Sequence, residues 1–250
     1  MDTPDYIGAL EIEGPWLVDA ARQAGPLAPV PACPGWQVRD LLAHIGFVHR
    51  WATAYVATRL DTMVDEPDEK AILAAAPADE VRPEWVIEGH AALVDTLRSA
   101  PADLVCWTFL AAPSPLAMWA RRQAHETTVH RVDAQQAAGV TVVPVHADLA
   151  ADGIEELLFG FYRRAGRSDG EPDGRIGLEA TDRPERWTVS KSGEALVASR
   201  RMDDCDVVVR ATASELYLLL WNRIGTEGVE LLGTSATFRR LWGSQGVTWQ

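Results

Sequence analysis

From Trp36 to about Leu60, apolar side chains return every three or four residues: Val38, Leu41, Leu42, Ile45, Val48, Ala52, Tyr55 and Val56. That spacing puts them on one stripe of an α-helix, and such a stripe has to be covered by other elements. Proline-bearing breaks isolate further segments of the same kind. A first helix is predicted over residues 5–23, with Gly14 and Pro15 as a kink or restart inside it, before the break "GPLAPVPACPG". The acidic linker "DTMVDEPDEKAILAAAPADEVRP" leads to a third helix near 84–99, and "APSP" introduces a fourth over 116–138. Helices of this length can cover one another's stripes, so residues 1–145 read as a four-helix bundle.

After "GVTVVPVHAD" the period changes. A helix is expected over 149–164, then a Gly/Asp/Pro-rich loop, then four short strand-like segments, "GRIGLEAT", "RWTVSKS", "ALVASRR" and "DVVVRA". Thr212 and Glu215 form a capping-box pair ahead of the apolar helix "LYLLLWNRI", and a short helix is expected over 236–243. Residues 146–250 therefore read as a smaller α+β domain.

Composition narrows the function classes. The net charge of −13 disfavours binding to nucleic acid or anionic lipid. No apolar run is long enough to span a bilayer, and "MDTPDYIGAL" lacks the basic and apolar regions of a signal peptide, so a cytoplasmic protein is expected. Cys33, Cys106 and Cys205 are odd in number and never in a CxxC pair, which argues for reduced thiols rather than a disulfide framework or a cysteine metal site. Most of the ten tryptophans sit among apolar neighbours, where packing is the default role.

The segment most suggestive of chemistry is "RRQAHETTVHRVDAQ", residues 121–135. It is one residue too long for the HExxH signature of zinc proteases. On a helix His125 and His130 point about 140° apart, whereas Glu126 and His130 lie roughly 40° apart on one face. Two histidine ligands with a glutamate base are thereby excluded, and Glu126 with His130 remains as a candidate ligand pair. Trp119, Arg122, Gln123 and Asp133 share their face, flanked by apolar Met118, Val129 and Val132 on one side and by small Ala120, Thr127 and Ala134 on the other. A polar stripe between two packing flanks points into the bundle. Asp133, one turn on, is a candidate acceptor for the His130 ring. A third ligand must come from another helix, and "LLAHIGFVHR" offers His44 and His49 on opposite edges of its stripe. Spacing does not choose between them. His125 reads as a core residue, His90 and His146 show no partner pattern, and Arg39 and Asp40 read as helix-start charges.

"CPGWQVRDLLAHIGFVHRWA" followed by "RRQAHETTVHRVDAQ" resembles the N-terminal domain of the mycothiol-dependent maleylpyruvate isomerase family, itself related to DinB-like metal-binding four-helix proteins. "TASELYLLLWNR" is similar to that family's C-terminal domain. The resemblance implies a zinc ion held by His44, Glu126 and His130, and a functional arginine for which Arg223 is the match. Asn222 stands where a small residue is expected. It further implies mycothiol as a cosubstrate thiol acting on an electrophilic small molecule, by cis–trans isomerisation or by thiol S-transfer.

Two imidazoles and one carboxylate leave an open position on a tetrahedral ion, as catalytic zinc sites do. Two other readings remain. One is a hydrolase acting through zinc-bound water, or an enzyme using a different thiol. The other is a non-catalytic metal-binding regulatory protein.

Overall fold

A computed structural model describes residues 1–63, 74–162, 173–193 and 195–242. The chain divides into two compact units, Met1–Val143 and Pro144–Gln250.

The first unit is built on four long helices: α1 (Thr3–Ala24), α2 (Val38–Thr58), α3 (Arg82–Ser99) and α4 (Pro115–Ala137). Helix α1 packs on α3 and α4, and α2 packs on the same two. Part of the acidic linker before α3, residues 64–73, lies outside the described residues. Local chemistry starts the helices where the sequence suggests. Asp2 and Asp5 cap α1 reciprocally, the Asp40 carboxylate accepts from the Gln37 N–H at the head of α2, and Ser114 accepts from the Ala117 N–H at the head of α4. Helix α1 runs unbroken through Gly14 and Pro15, where a kink or restart was expected. Gly14 has a packing role instead: a Cβ there would lie 2.3 Å from His90 Nε2 on α3. Only a bare backbone admits that imidazole. Gly46 serves α2 in the same way, since a Cβ would meet the Trp85 ring at 2.1 Å.

Helix α4 is the central element. From Met118 to Gln135 nearly every side chain is buried, polar ones included. Among them Arg131, fully buried, donates from Nε to Glu13 of α1 at 2.6 Å and from Nη1 to the Val143 carbonyl. The apolar stripe of α2 contributes Val38, Leu41, Leu42 and Ile45 to a cluster with Leu17, Val18 and Ala21 of α1, Val86 of α3 and Ala134 of α4. Trp51, Tyr55, Trp107 and Trp119 pack ring on ring farther along α2 and α4, with Phe109 at their margin. These tryptophans have the packing role expected of them.

The second unit is a mixed sheet with helices. Helix α5 (Ala147–Glu155) widens into a π-helical turn over Glu156–Phe161, and the end of the helix expected over 149–164 lies outside the described residues. Strands β1 (Gly174–Ala180), β2 (Arg186–Ser192) and β3 (Ala195–Ser199) form an antiparallel meander; β4 (Val207–Ala211) joins β1 in parallel, and β5 (Glu230–Leu232) closes the edge, giving the order β3-β2-β1-β4-β5. Leu178 pairs in register with Trp187 on one side and Val209 on the other, and all three are buried. Strand β5 escaped the sequence reading because three residues carry no usable alternation.

Helix α6 (Ala213–Leu220) starts at the Thr212/Glu215 capping box. It stops sooner than "LYLLLWNRI" suggested. The Asn222 N–H bonds to the Leu219 carbonyl and the Arg223 N–H to the Leu218 carbonyl, while Asn222 sits at φ 59°. This is a Schellman closure, and its left-handed position suits glycine or asparagine, which accounts for Asn222 where a small residue was expected. Helix α7 (Ser235–Trp242) packs on β1. No described helix is long and apolar enough to cross a membrane.

Candidate metal centre

Helices α2 and α4 bring together three residues far apart in sequence. His44 Nε2 lies 3.0 Å from Glu126 Oε1, and His130 Nε2 lies 3.3 Å from the same oxygen. All three side chains are buried, and each offers one ligand atom within 4.8 Å of the other two. Helix α4 sets the Glu126/His130 half of the cluster through i,i+4 spacing. The rotation of α2 about its axis sets the other half: it aims His44 at Glu126 and sends His49 to Thr127 Oγ1 at 2.9 Å.

Both carboxylates around His130 matter to its state. Its Nδ1 donates to Asp133 Oδ2 at 2.8 Å, and because a carboxylate only accepts, that hydrogen bond fixes the proton on Nδ1 and turns Nε2 toward the cluster. Burial alone would lower the His130 pKa, but the hydrogen bonds and charges of Asp133 and Glu126 raise it to about 9. Glu126 is also buried, which by itself favours its neutral form. Its bonds to His130 and His44 and the Arg122 charge win, and hold it well below the ordinary carboxylate range. Arg122 Nη2 reaches the other carboxylate oxygen, Oε2, at 2.9 Å.

The loop ahead of α2 covers the cluster. The Trp36 ring centroid lies 5.2 Å from that of His44 and 6.3 Å from that of His130, nearly parallel to the latter. Cys33, on the same loop, places Sγ 3.7 Å from Asp133 Oδ2. Cys33, His130 and Asp133 form a second group close enough to share an ion, although its Asp133 oxygen is already engaged by the His130 Nδ1 proton. Cys33 and Trp36 both lie in the "CPGW" start of the segment that carried the family resemblance, but their contacts with the cluster had no signal in the sequence, since both meet it through loop conformation rather than periodicity. Cys33, Cys106 and Cys205 form no disulfide.

The other histidines fall into separate settings. His125 is fully buried, edge-on to Tyr6. His90 showed no partner pattern in sequence, yet it is buried with Nε2 bonded to the Leu10 carbonyl at 2.8 Å and its ring 5.5 Å from that of His49. His146 is exposed beside Asp148. Arg223, in the second unit, follows the Schellman turn and donates from Nη1 to the Trp221 carbonyl at 2.7 Å.

Comparisons with known proteins agree with this architecture. Two crystal structures of mycothiol-dependent maleylpyruvate isomerase, one of them a histidine-to-alanine variant, superpose with TM-scores of 0.63 and 0.66. Each covers 93% of this chain and 93% of its own, at 14% and 12% identity respectively, a likeness of fold. No curated protein matches the sequence significantly. Family models decide the matter: residues 9–135 match the mycothiol maleylpyruvate isomerase N-terminal domain and residues 148–240 the C-terminal domain of the same proteins, so the chain belongs to the mycothiol maleylpyruvate isomerase family.

Proposed function

We propose that this protein is a metal-dependent enzyme that uses mycothiol, the thiol in the name of its family and of both structural neighbours, on an electrophilic small molecule. The observation that carries this reading is the convergence of His44 Nε2, Glu126 Oε1 and His130 Nε2 in a buried cluster between two helices. Two imidazole nitrogens and a carboxylate oxygen match the donor preference of zinc, and three protein donors leave room for one more ligand. Residues 1–145 then act as a DinB-like metal-binding four-helix bundle, followed by the α+β domain over 146–250.

A zinc ion held there would supply the charge that deprotonates a thiol near neutral pH. The surrounding residues prepare the donors. Asp133 keeps a proton on His130 Nδ1, Arg122 holds the far oxygen of Glu126, and Trp36 stacks on the His130 ring and lies tilted beside that of His44. In this reading the nucleophilic sulfur is that of the cosubstrate: burial pushes the Cys106 and Cys205 thiols up, away from thiolate character, and the Cys33 Sγ faces Asp133 rather than the three-donor cluster. Arg223 is assigned to the substrate, either pairing with a carboxylate or stabilising an enolate. Addition of the thiol to a cis double bond leaves a single bond that can rotate, and expulsion of the thiol then gives the trans product. Release of the adduct instead would make the protein an S-transferase.

Incubation of the zinc-loaded protein with mycothiol and either maleylpyruvate or a halo-aromatic electrophile, following free thiol and product geometry, separates these outcomes. Isomerisation at constant thiol is the expected result with maleylpyruvate, and stoichiometric thiol loss would assign S-transfer. No thiol-dependent change across a broad set of electrophiles would overturn the proposal in favour of a hydrolase or a binding protein. The ligand assignment is tested separately. His44→Ala, Glu126→Ala and His130→Ala should each lose near-stoichiometric zinc while His49→Ala keeps it; a folded His44→Ala protein with full zinc would remove His44 from the site.

A further inference from the structure

Glu126 shows its two carboxylate oxygens to different partners. Oε1 faces His44 Nε2 at 3.0 Å and His130 Nε2 at 3.3 Å, and Oε2 accepts a hydrogen bond from Arg122 Nη2 at 2.9 Å. Arg122 is 3% exposed and Glu126 5%, so the pair is held where water competes poorly for either group. Both stand on α4 one turn apart, and the helix itself fixes the separation at which the guanidinium meets the carboxylate.

A glutamate at a metal has two ways to bind. It can give one oxygen, or it can swing and chelate with both, which adds a ligand and fills space an incoming molecule would use. A buried, charge-assisted hydrogen bond on Oε2 opposes the swing, because chelation would require that bond to lengthen or break inside the protein. Lysine would supply the charge as a single compact donor without the planar fork.

We propose that Arg122 is a positioning residue that restricts Glu126 to one-oxygen binding, so that the protein supplies three donor atoms and a place is kept for the thiol. The inference rests on the metal-binding reading above. Arg122 acts through Glu126 and touches neither thiol nor substrate.

Cobalt(II) reports the number of ligands directly, since four-coordinate sites absorb visible light far more strongly than five- or six-coordinate ones. The cobalt-loaded wild-type protein should give an intense four-coordinate spectrum once N-acetylcysteine is added. Arg122→Gln should retain cobalt but lose several-fold in visible intensity and respond weakly to the thiol, with Arg122→Lys in between. A residue with a merely structural role would lower the melting temperature and leave the spectrum in place; an unchanged spectrum and thiol response in Arg122→Gln would overturn the proposal. Should Arg122→Gln fail to fold, a crystal structure of zinc-loaded wild-type protein decides: one Glu126 oxygen at about 2.0–2.2 Å from the ion supports the inference, and two at that distance overturn it. Wild-type protein that takes up neither ion would defeat the metal reading itself, and this inference with it. A normal wild-type site with an unchanged variant defeats this inference alone.

Discussion

At the scale of single residues, the candidate site is a chain of hydrogen bonds in which each group fixes the next. Cys33 and His130 meet on Asp133, His130 and His44 meet on Glu126, and Arg122 closes the far end. Only the middle of that chain would touch an ion; the ends set its orientation and basicity. Arg223 belongs to a different setting. Its backbone N–H completes the Schellman closure of α6, and that role does not depend on its side chain. Arg223→Ala should therefore keep both zinc content and melting temperature while losing most of its turnover with mycothiol and maleylpyruvate. Unchanged turnover, or zinc lost along with activity, would show that the side chain does something other than handle substrate.

At the scale of elements, close approach between helices controls where the imidazoles lie. Helix α1 reaches α3 at Gly14, against the His90 ring, while a Cβ added at Gly8 on the same helix would meet nothing within 4 Å. The two glycines should respond with opposite signs. Gly14→Ala forces the His90 ring aside at an overpacking cost of about 1–3 kcal/mol, which exceeds the helix-propensity gain. Gly8→Ala meets no such cost and should stabilise by up to about 1 kcal/mol. Urea unfolding at constant m-value reads both; a Gly14→Ala protein as stable as the wild type would mean that the helices part without penalty. The element boundaries illustrate what local chemistry carries. The capping box at Thr212 and Glu215 was legible because both partners lie within one turn, whereas the end of α6 depends on a left-handed Asn222 that hydropathy does not reveal.

At the scale of the whole molecule, the first unit buries more ionisable groups than its apolar packing requires, and this ties its stability to pH. His49 is held well below its usual value of 6.5, first by burial and then by the neighbouring His90, which burial also lowers. Both imidazoles are therefore neutral in the folded protein at pH values where the unfolded chain already takes up protons. Their contribution to stability is present above pH 6.5 and is lost as the pH falls below it. The raised pKa of His130 acts in the opposite sense, its contribution growing as the pH falls from about 9 and complete below pH 6.5. Urea unfolding of chelator-treated protein should therefore show the His49 and His90 loss most clearly between pH 6.5 and 5.5, and His49→Gln should make it shallower; an equally steep fall in His49→Gln would place its origin elsewhere. The same unit shows how information divides between sequence and tertiary structure. Apolar periodicity and the proline-bearing breaks located the four long helices, and the i,i+4 rule paired Glu126 with His130, because these depend on local sequence and the geometry of one helix. Four of the strands in the second unit were legible as segments from local composition and alternation, and the three-residue β5 was not. Which histidine of α2 would join the pair was a different kind of question: His44 and His49 stand about 140° apart on their helix, and the choice rests on how α2 is rotated against α4. Family resemblance named His44, and packing turns His44 toward Glu126 and His49 toward Thr127. The contacts of Trp36, Cys33 and His90 were equally out of reach, since they join residues roughly eighty to a hundred positions apart through loop path and helix crossing, which no local pattern encodes.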